Sequence, residues 1–170
     1  MDSIASWNER YRAGEPDDQP AKLLVETLRD ATPGLALDLA CGAGRNAIWL
    51  AQRGWDMTAI DGSMEAIRIL RERAVALRIH SEVRDLETDA PLPYPDASFD
   101  AVLLLYFLWR PLFAEAKRIV KPGGLVLAAI RTRGTYAITS HELRAEFAGW
   151  DLIHEQDGEI AEIVARRAPL

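Results

Sequence analysis

The sequence predicts an α/β fold: a doubly wound, mostly parallel seven-stranded sheet with helices on both faces and a C-terminal antiparallel hairpin. Short apolar segments alternate with segments whose apolar residues recur every three or four positions, as strands and amphipathic helices do. Glycine and proline separate most of these segments. Near the end of the chain, two strand-like segments flank Asp157 and Gly158, which are typical of a tight hairpin turn.

The chain length and composition favour one folded domain. Of the 170 residues, 49% are hydrophobic and 27% are charged, which is ordinary for a globular protein. We divide the chain into an N-terminal arm over residues 1–20 and a single domain over residues 21–170. The arm is expected to be irregular or a short helix, because Gly14, Pro16 and Pro20 interrupt it.

Charge and cysteine content bear on partners and location. The formal net charge is −6, which disfavours nucleic acid because binding to phosphates requires lysine and arginine. Cys41 is the single cysteine, so no disulfide within the chain and no zinc site with paired cysteines is expected; we interpret it as a packing residue, and we expect no metal.

The longest apolar run, residues 101–109, is far shorter than a membrane span, and the first residues do not resemble a signal peptide. We therefore expect a cytoplasmic protein without membrane contact.

The first half of the chain predicts three strands and three helices. The helices cover residues 21–30, residues 45–53 and a segment that Ser63 caps and that extends to Leu77. The strands cover residues 35–40, 55–60 and 79–84.

The second half begins with a proline-rich loop and continues with strands and helices. A strand over residues 99–107 precedes a helix that begins at Pro111 and ends near residue 120. Residues 121–124 predict a turn before a strand over residues 125–130. Thr139 and Glu142 have the spacing of a capping box, which predicts a helix over residues 140–148, and the hairpin strands cover residues 150–156 and 160–166.

A glycine-rich segment follows the first strand of the domain. Residues 42–47 fit the pattern G-x-G-x-x-A between a strand and a helix, where backbone can approach an anionic ligand closely. Asp61 follows Gly42 by 19 residues and is positioned to accept hydrogen bonds from both hydroxyls of a ribose. The alternative is that Asp61 and Gly62 form a turn that caps the next helix.

Two further carboxylates flank this pattern. Asp85 follows the third strand and, with the Leu86 amide, is positioned near an adenine edge; alternatively, it belongs to a solvated acidic loop. Asp38 precedes Gly42 by four residues, whereas the corresponding strand of a dehydrogenase is usually apolar throughout. Asp38 either orients the loop or accepts from the amino group of a bound amino-acid moiety, because burial without a partner is costly.

Together these motifs resemble those of the Rossmann-like class I S-adenosylmethionine-dependent methyltransferases. The resemblance spans roughly residues 7–166 and includes residues 37–46, Asp61, Asp85, residues 98–100 and residues 121–124. Residues 41–46 and the opening residues 7–11 are similar to the tellurite-resistance-type small-molecule methyltransferases. The resemblance implies S-adenosylmethionine as cofactor and S-adenosylhomocysteine as product. The cleft is either open, or closed by the arm, which carries Trp7 and Tyr11, as a lid over the cofactor, or closed by a partner subunit. The cofactor-binding residues that we expect are Tyr11, Asp38, Ala40, Gly42, Gly44, Arg45, Asn46, Asp61, Gly62, Ser63, Asp85, Leu86 and Leu105.

On the substrate side, Tyr106, Trp109 and Arg110 follow the fourth strand, although Tyr106 and Trp109 also suit packing roles. His141 is a candidate base, or else a surface residue of a first helical turn.

Methyl transfer from a sulfonium is an in-line displacement that requires no enzyme nucleophile. Residues 104–107 depart from the Asn-Pro-Pro-Tyr signature of methylases acting on amino groups of DNA or protein, so a small-molecule acceptor is expected. A soft nucleophile such as a thiol or a metalloid oxyanion fits best.

Three questions stay open at this point. A non-catalytic module that binds S-adenosylmethionine shares these motifs, and an NAD-dependent oxidoreductase shares the glycine pattern and Asp61. The sequence leaves the oligomeric state open, with a homodimer among the alternatives.

Overall fold

A computed structural model describes residues 3–14 and 16–170. The chain forms two compact units, residues 1–86 and residues 87–170. No helix in the part of the chain that the structure describes has the length and apolar character needed to cross a membrane. Residues 1, 2 and 15 of the predicted arm lie outside the described residues.

The first unit contains three parallel strands in the order β3-β2-β1. Its elements are α1 (Ile4–Ala13), α2 (Lys22–Leu28), β1 (Leu35–Leu39), α3 (Arg45–Ala51), β2 (Asp56–Asp61), α4 (Met64–Arg73) and β3 (Ile79–Val83). The predicted arm is therefore helical over 10 of its 20 residues.

Local sequence explains where these elements begin. The Ser63 hydroxyl accepts a hydrogen bond from the Ala66 amide and caps α4, which buries Ile67 and Leu70. The first turn of α3 follows Gly44, whose left-handed backbone redirects the chain out of β1.

The second unit contains four strands in the order β4-β5-β7-β6. Its elements are β4 (Phe99–Leu105), α5 (Pro111–Ile119), β5 (Val120–Arg131), α6 (Ser140–Glu146), β6 (Asp151–Gln156) and β7 (Ile160–Arg166). β4 and β5 are parallel, whereas β7 pairs antiparallel with both β5 and β6. The capping box of Thr139 and Glu142 is present at the start of α6.

The strands follow the order β3-β2-β1-β4-β5-β7-β6 in a seven-stranded sheet. The mostly parallel sheet and its C-terminal antiparallel hairpin confirm the predicted fold class.

Some predicted boundaries were wrong. The turn predicted over residues 121–124 lies inside β5, because the Gly123 amide donates to the Arg167 carbonyl and the Arg167 amide donates to the Gly124 carbonyl. The register with β4 shifts beside this segment, between Phe99 and Ala101, so it is an irregular part of the strand. β4 ends at Leu105, two residues earlier than predicted, because Tyr106 has a positive φ of 63°.

Several predicted helices were also too long. α3, α4 and α6 end at Ala51, Arg73 and Glu146. The helical spacing of apolar residues in the sequence continues past these ends, because residues that follow the helices, such as Ala74, are still buried in the core.

Candidate functional site

The segment between β1 and α3, residues 40–46, is called here the glycine loop. Ala40, Gly42 and Gly44 have positive φ values of 61°, 55° and 89°. Glycine adopts this left-handed region freely, whereas a residue with a side chain incurs a penalty of about 1 kcal/mol. Strain at Ala40 is typical of a loop whose conformation serves a ligand.

Gly42 and Gly44 are also required because side chains from other elements lie close to their Cα atoms. A Cβ atom at Gly42 would lie 2.4 Å from Tyr11 Oη, and one at Gly44 would lie 2.2 Å from Leu70 Cδ1. The loop therefore tolerates no larger residue at either position without displacement of its neighbours.

Asp61, at the end of β2, anchors this loop. Its Oδ2 accepts a hydrogen bond of 2.8 Å from the Gly42 amide, and its Oδ1 accepts one of 2.8 Å from the Ser63 amide. Burial raises the pKa of Asp61, while these two amides act in the opposite direction. The turn that the sequence offers as the alternative to ribose binding is thus present, whereas the cap of α4 is Ser63 and not Asp61.

Asp38, in β1, is the most unusual polar residue of the first unit. It is only 1% exposed, and among the described residues its Oδ2 has no hydrogen-bond partner. Its pKa is raised to about 7, mainly by burial and in smaller part by the nearby Asp61, while Arg45 acts in the opposite direction. A buried carboxylate oxygen without a donor is costly, which indicates a site for a hydrogen-bonding or cationic ligand group.

Tyr11, from α1, closes one side of the glycine loop. Burial raises the pKa of its phenol to about 12, with a further contribution from Asp61. The hydroxyl is therefore protonated at neutral pH and can donate a hydrogen bond.

Arg45 and Asn46 begin α3 directly after the loop. Arg45 Nη1 donates to Asp17 Oδ2 at 2.5 Å and to the Gln19 carbonyl at 3.2 Å. Asn46 is buried, and its Oδ1 accepts a hydrogen bond of 2.8 Å from the Ala21 amide, which ties α3 to the start of α2. This structural role of Asn46 was not predicted; its role toward a cofactor stays a prediction.

Gly62 and Ser63 connect β2 to α4 under helix α1. Ile4 of α1 would lie 3.1 Å from a Cβ atom at Gly62. The Ser63 hydroxyl donates to Asn8 Oδ1 at 2.6 Å, and the Glu65 amide donates to the same oxygen at 3.1 Å. Asn8 was missed by the sequence analysis; its position within the opening motif, residues 7–11, was the available signal.

Asp85 and Leu86 follow β3. The Arg84 amide donates to the Asp61 carbonyl at 2.9 Å, which brings this segment beside the end of β2. Asp85 is exposed and Leu86 is buried. The structure thus gathers Tyr11, Asp38, the glycine loop and Asp61 in one region of the first unit.

The residues predicted for the substrate side belong to the second unit. Leu105 is buried at the end of β4 and Tyr106 is 45% exposed with a left-handed backbone, an unusual conformation for a bulky residue. Trp109 Nε1 donates to the Thr88 carbonyl at 3.1 Å, so the indole is fixed rather than free. Arg110 precedes α5 and pairs with Glu142 at 2.9 Å.

His141 is exposed in the first turn of α6, next to Glu142. Within residues 3–14 and 16–170, no cluster of three or more histidine, cysteine, aspartate or glutamate side chains is arranged to hold a metal ion.

Comparison with known proteins identifies the family. A family described as a methyltransferase domain matches residues 36–124, more than half of the chain. The chain belongs to this methyltransferase family. The resemblance to class I S-adenosylmethionine-dependent methyltransferases is confirmed, and S-adenosylmethionine is the cofactor of the family.

Curated relatives match part of this chain. The 27-O-demethylrifamycin SV methyltransferase of Amycolatopsis mediterranei is 34% identical over 136 residues, covering 69% of this chain and 50% of the relative. The demethylmenaquinone methyltransferase of Thermus thermophilus is 34% identical over 108 residues, covering 59% of this chain and 48% of the relative. The chain spans about half the length of the curated relatives it matches.

Solved structures show the same fold. TehB from Haemophilus influenzae superposes with a TM-score of 0.78 at 18% identity, covering 96% of this chain and 66% of TehB. A putative methyltransferase solved in complex with the Trm112 activator of Haloferax volcanii has a TM-score of 0.78 at 20% identity, covering 99% and 97%. At these identities the likeness concerns the fold alone.

Proposed function

We propose that this protein transfers the methyl group of S-adenosylmethionine to a small-molecule acceptor by in-line displacement. The observation that carries the proposal is Asp38, whose buried Oδ2 has no hydrogen-bond partner among the described residues, beside the glycine loop. Two relatives are named as methyltransferases of 27-O-demethylrifamycin SV and of demethylmenaquinone. Both names support a small-molecule acceptor.

The residues of the first unit fit the chemistry of S-adenosylmethionine. An ammonium group of the methionine moiety would supply the donor and the positive charge that Asp38 needs. Tyr11 would donate to the carboxylate of that moiety, and Arg45 would add positive charge. Asp61 would accept from the ribose, because each carboxylate oxygen can accept more than one hydrogen bond. Asp85 and Leu86 would lie on the adenine side.

When bound, S-adenosylmethionine supplies an activated methyl group together with its leaving group. The chain then has to orient the acceptor and exclude water, which are the contributions that positioning residues make. We assign this role to Tyr106, Trp109 and Arg110. We further propose that residues 1–20 act as a lid over the cofactor.

We propose that the acceptor atom is soft and already unprotonated, as in a thiolate or a metalloid oxyanion. The support is that His141, the predicted base, is an exposed residue of the first turn of α6. Replacement of His141 by alanine should leave the transfer rate within about threefold; a loss of 100-fold or more would argue for a base.

Calorimetry tests the cofactor assignment. We expect the native protein to bind S-adenosylmethionine and S-adenosylhomocysteine but not NAD, and Asp38→Asn to weaken binding about tenfold or more because it loses the negative charge. Asp56→Asn is the matched control, because Asp56 begins β2 and pairs with Arg78 at 3.4 Å. Tight NAD binding without a response to the other two ligands would overturn the proposal.

Turnover then separates an enzyme from a module that only binds the cofactor. The native protein should methylate at least one member of a panel of thiols, metalloid oxyanions and small amines. Binding without any turnover across a broad panel would favour the non-catalytic module. The oligomeric state stays open, with a homodimer among the alternatives. The exclusion of nucleic acid and the cytoplasmic location stay predictions.

A further inference from the structure

Arg73, the last residue of α4, contacts the glycine loop although 30 residues separate it from Ala43. Its Nη1 donates a hydrogen bond of 3.1 Å to the Ala43 carbonyl. Its Nη2 donates to the carboxylate of Asp18. The side chain is 26% exposed, so the guanidinium is held between these two acceptors with limited access to water.

The contacted carbonyl belongs to the Ala43–Gly44 peptide of the loop, whose amide donates to the Cys41 carbonyl at 3.1 Å. Ala43 stands between Gly42 and Gly44, which both have left-handed backbone. Glycines on both sides allow many alternative orientations of the intervening peptides, and ordering them has an entropic cost. The first part of the loop is held to β2 through the Cys41 and Gly42 amides. Arg73 adds a second hold on the part that follows: it binds the carbonyl of the Ala43–Gly44 peptide, whose amide already donates to the Cys41 carbonyl, and a planar peptide turns as a unit.

Residues 17–19 support arginines on both sides of the glycine loop. Asp17 and the Gln19 carbonyl bind Arg45, which begins α3. Asp18 binds Arg73, which ends α4. Each arginine therefore has its charge balanced by a carboxylate from the same short segment. The planar guanidinium suits Arg73 to this task, since it donates to two acceptors in fixed directions, whereas a lysine ammonium is a point charge.

We propose that Arg73 is a positioning residue for the cofactor, holding the Ala43–Gly44 peptide, with Asp18 behind it, in the conformation that binds S-adenosylmethionine. This inference rests on the proposed function. It adds a residue that lies outside the glycine loop and outside every motif of the sequence.

The test compares Arg73→Gln with Arg71→Gln. Arg71 lies on the same helix, carries the same charge and pairs with Ser81 at 2.9 Å instead of the loop. We expect Arg73→Gln to raise the Kd for S-adenosylhomocysteine and the KM for S-adenosylmethionine about tenfold, with kcat at saturating cofactor within about twofold of native. Arg73→Lys should retain part of the affinity, and Arg71→Gln should match the native protein in both constants.

Amide hydrogen exchange provides a readout that needs no ligand. Exchange at residues 42–44 of the cofactor-free protein should be faster in Arg73→Gln than in the native protein and in Arg71→Gln. If Arg73→Gln does not fold, Arg73→Lys and Asp18→Asn replace it in the same comparison, with smaller expected effects of the same sign.

The outcomes distinguish this inference from the proposed function. Native-like cofactor constants in Arg73→Gln, or equal losses in Arg73→Gln and Arg71→Gln, would overturn the positioning role. Unchanged exchange at residues 42–44 would also overturn it. Failure of the native protein to bind S-adenosylhomocysteine would count against the proposed function, and the exchange data alone would then decide whether Arg73 orders the loop.

Discussion

Asp61 uses one carboxylate to join two elements of the first unit. One of its oxygens accepts from the Gly42 amide and the other from the Ser63 amide, which fixes the glycine loop against the start of α4. Because each oxygen can accept a further hydrogen bond, this structural role and the proposed ribose contact are compatible. Replacement of Asp61 would therefore disturb the loop as well as a ligand, so Asp38 is the cleaner position for testing cofactor binding.

The raised pKa of Asp38 makes stability depend on pH. Its pKa rises from 3.8 to about 7 on folding, so between these values the folded protein retains a proton that the unfolded chain has released. The stabilising contribution is complete below about pH 4 and is lost as the pH rises through about 7. Asp38→Asn cannot ionise, and we expect it to be more stable than the native protein at pH 8, on the order of 2 kcal/mol.

Urea unfolding at pH 5 and pH 8 checks this expectation. The advantage of Asp38→Asn should shrink toward pH 5, whereas Asp56→Asn should show no comparable trend. A stability difference that stays constant across this range would show that Asp38 is ionised throughout.

Among the elements, α1 is attached by few contacts. None of the residues of Ile4–Ala13, all of which the structure describes, is fully buried. Ile4, Asn8 and Tyr11 recur on one face and contact Gly62, the start of α4 and Gly42 respectively. A helix held in this way belongs to the part of a protein that opens most readily, as a lid requires.

Asn8→Ala should loosen α1 without unfolding the rest of the chain. It removes the acceptor of the Ser63 hydroxyl and the Glu65 amide, each bond contributing about 1 kcal/mol. We expect faster amide hydrogen exchange throughout α1, with exchange in β1 and β2 close to native. Glu9→Ala, an exposed position on the same helix, is the control. Equal exchange in both variants would show that Asn8 does not hold the helix.

For the whole molecule, cofactor binding should appear as added stability. A ligand that binds only the folded protein raises the free energy of unfolding by about 2.7 kcal/mol at 100 times its Kd. We expect S-adenosylhomocysteine to produce this increase in urea unfolding of the native protein and NAD to produce none. An equal increase with NAD would contradict the assignment of the cofactor.

Most of the fold was predictable because its signals are local. Short apolar runs such as residues 35–40 and 99–107 marked the strands, and side-chain caps at Ser63 and Thr139 marked two helices. The predictions failed where contacts between residues far apart in the sequence determine the local structure. Residues 121–124 look like a turn locally, yet the backbone of Gly123 and Gly124 pairs with Arg167 and draws the segment into β5.

The candidate site divides in the same way. Asp38, Gly42 and Asp61 were predicted to lie together because their spacing along the chain reflects consecutive strands, and the structure gathers them in the first unit. Their roles toward a cofactor stay predictions. Asn8 and Arg73 were missed, since their partners lie 55 to 57 and 30 residues away and no periodic pattern connects them. Contacts of this kind depend on how helices pack. The opening motif, residues 7–11, contains Asn8, but a motif does not show which distant residues its side chains contact.

Cys41 gives the protein a built-in reporter. It is the sole cysteine of the chain, lies buried in the glycine loop, and has its thiol directed at the Gly42 carbonyl at 3.4 Å. Burial raises the pKa of this thiol, so it stays protonated and inert toward thiol reagents while the loop is closed. A reagent in solution can therefore react only during openings of the loop. The rate at which a thiol reagent labels Cys41 therefore measures how often the loop opens, and the measurement needs no substitution in the chain.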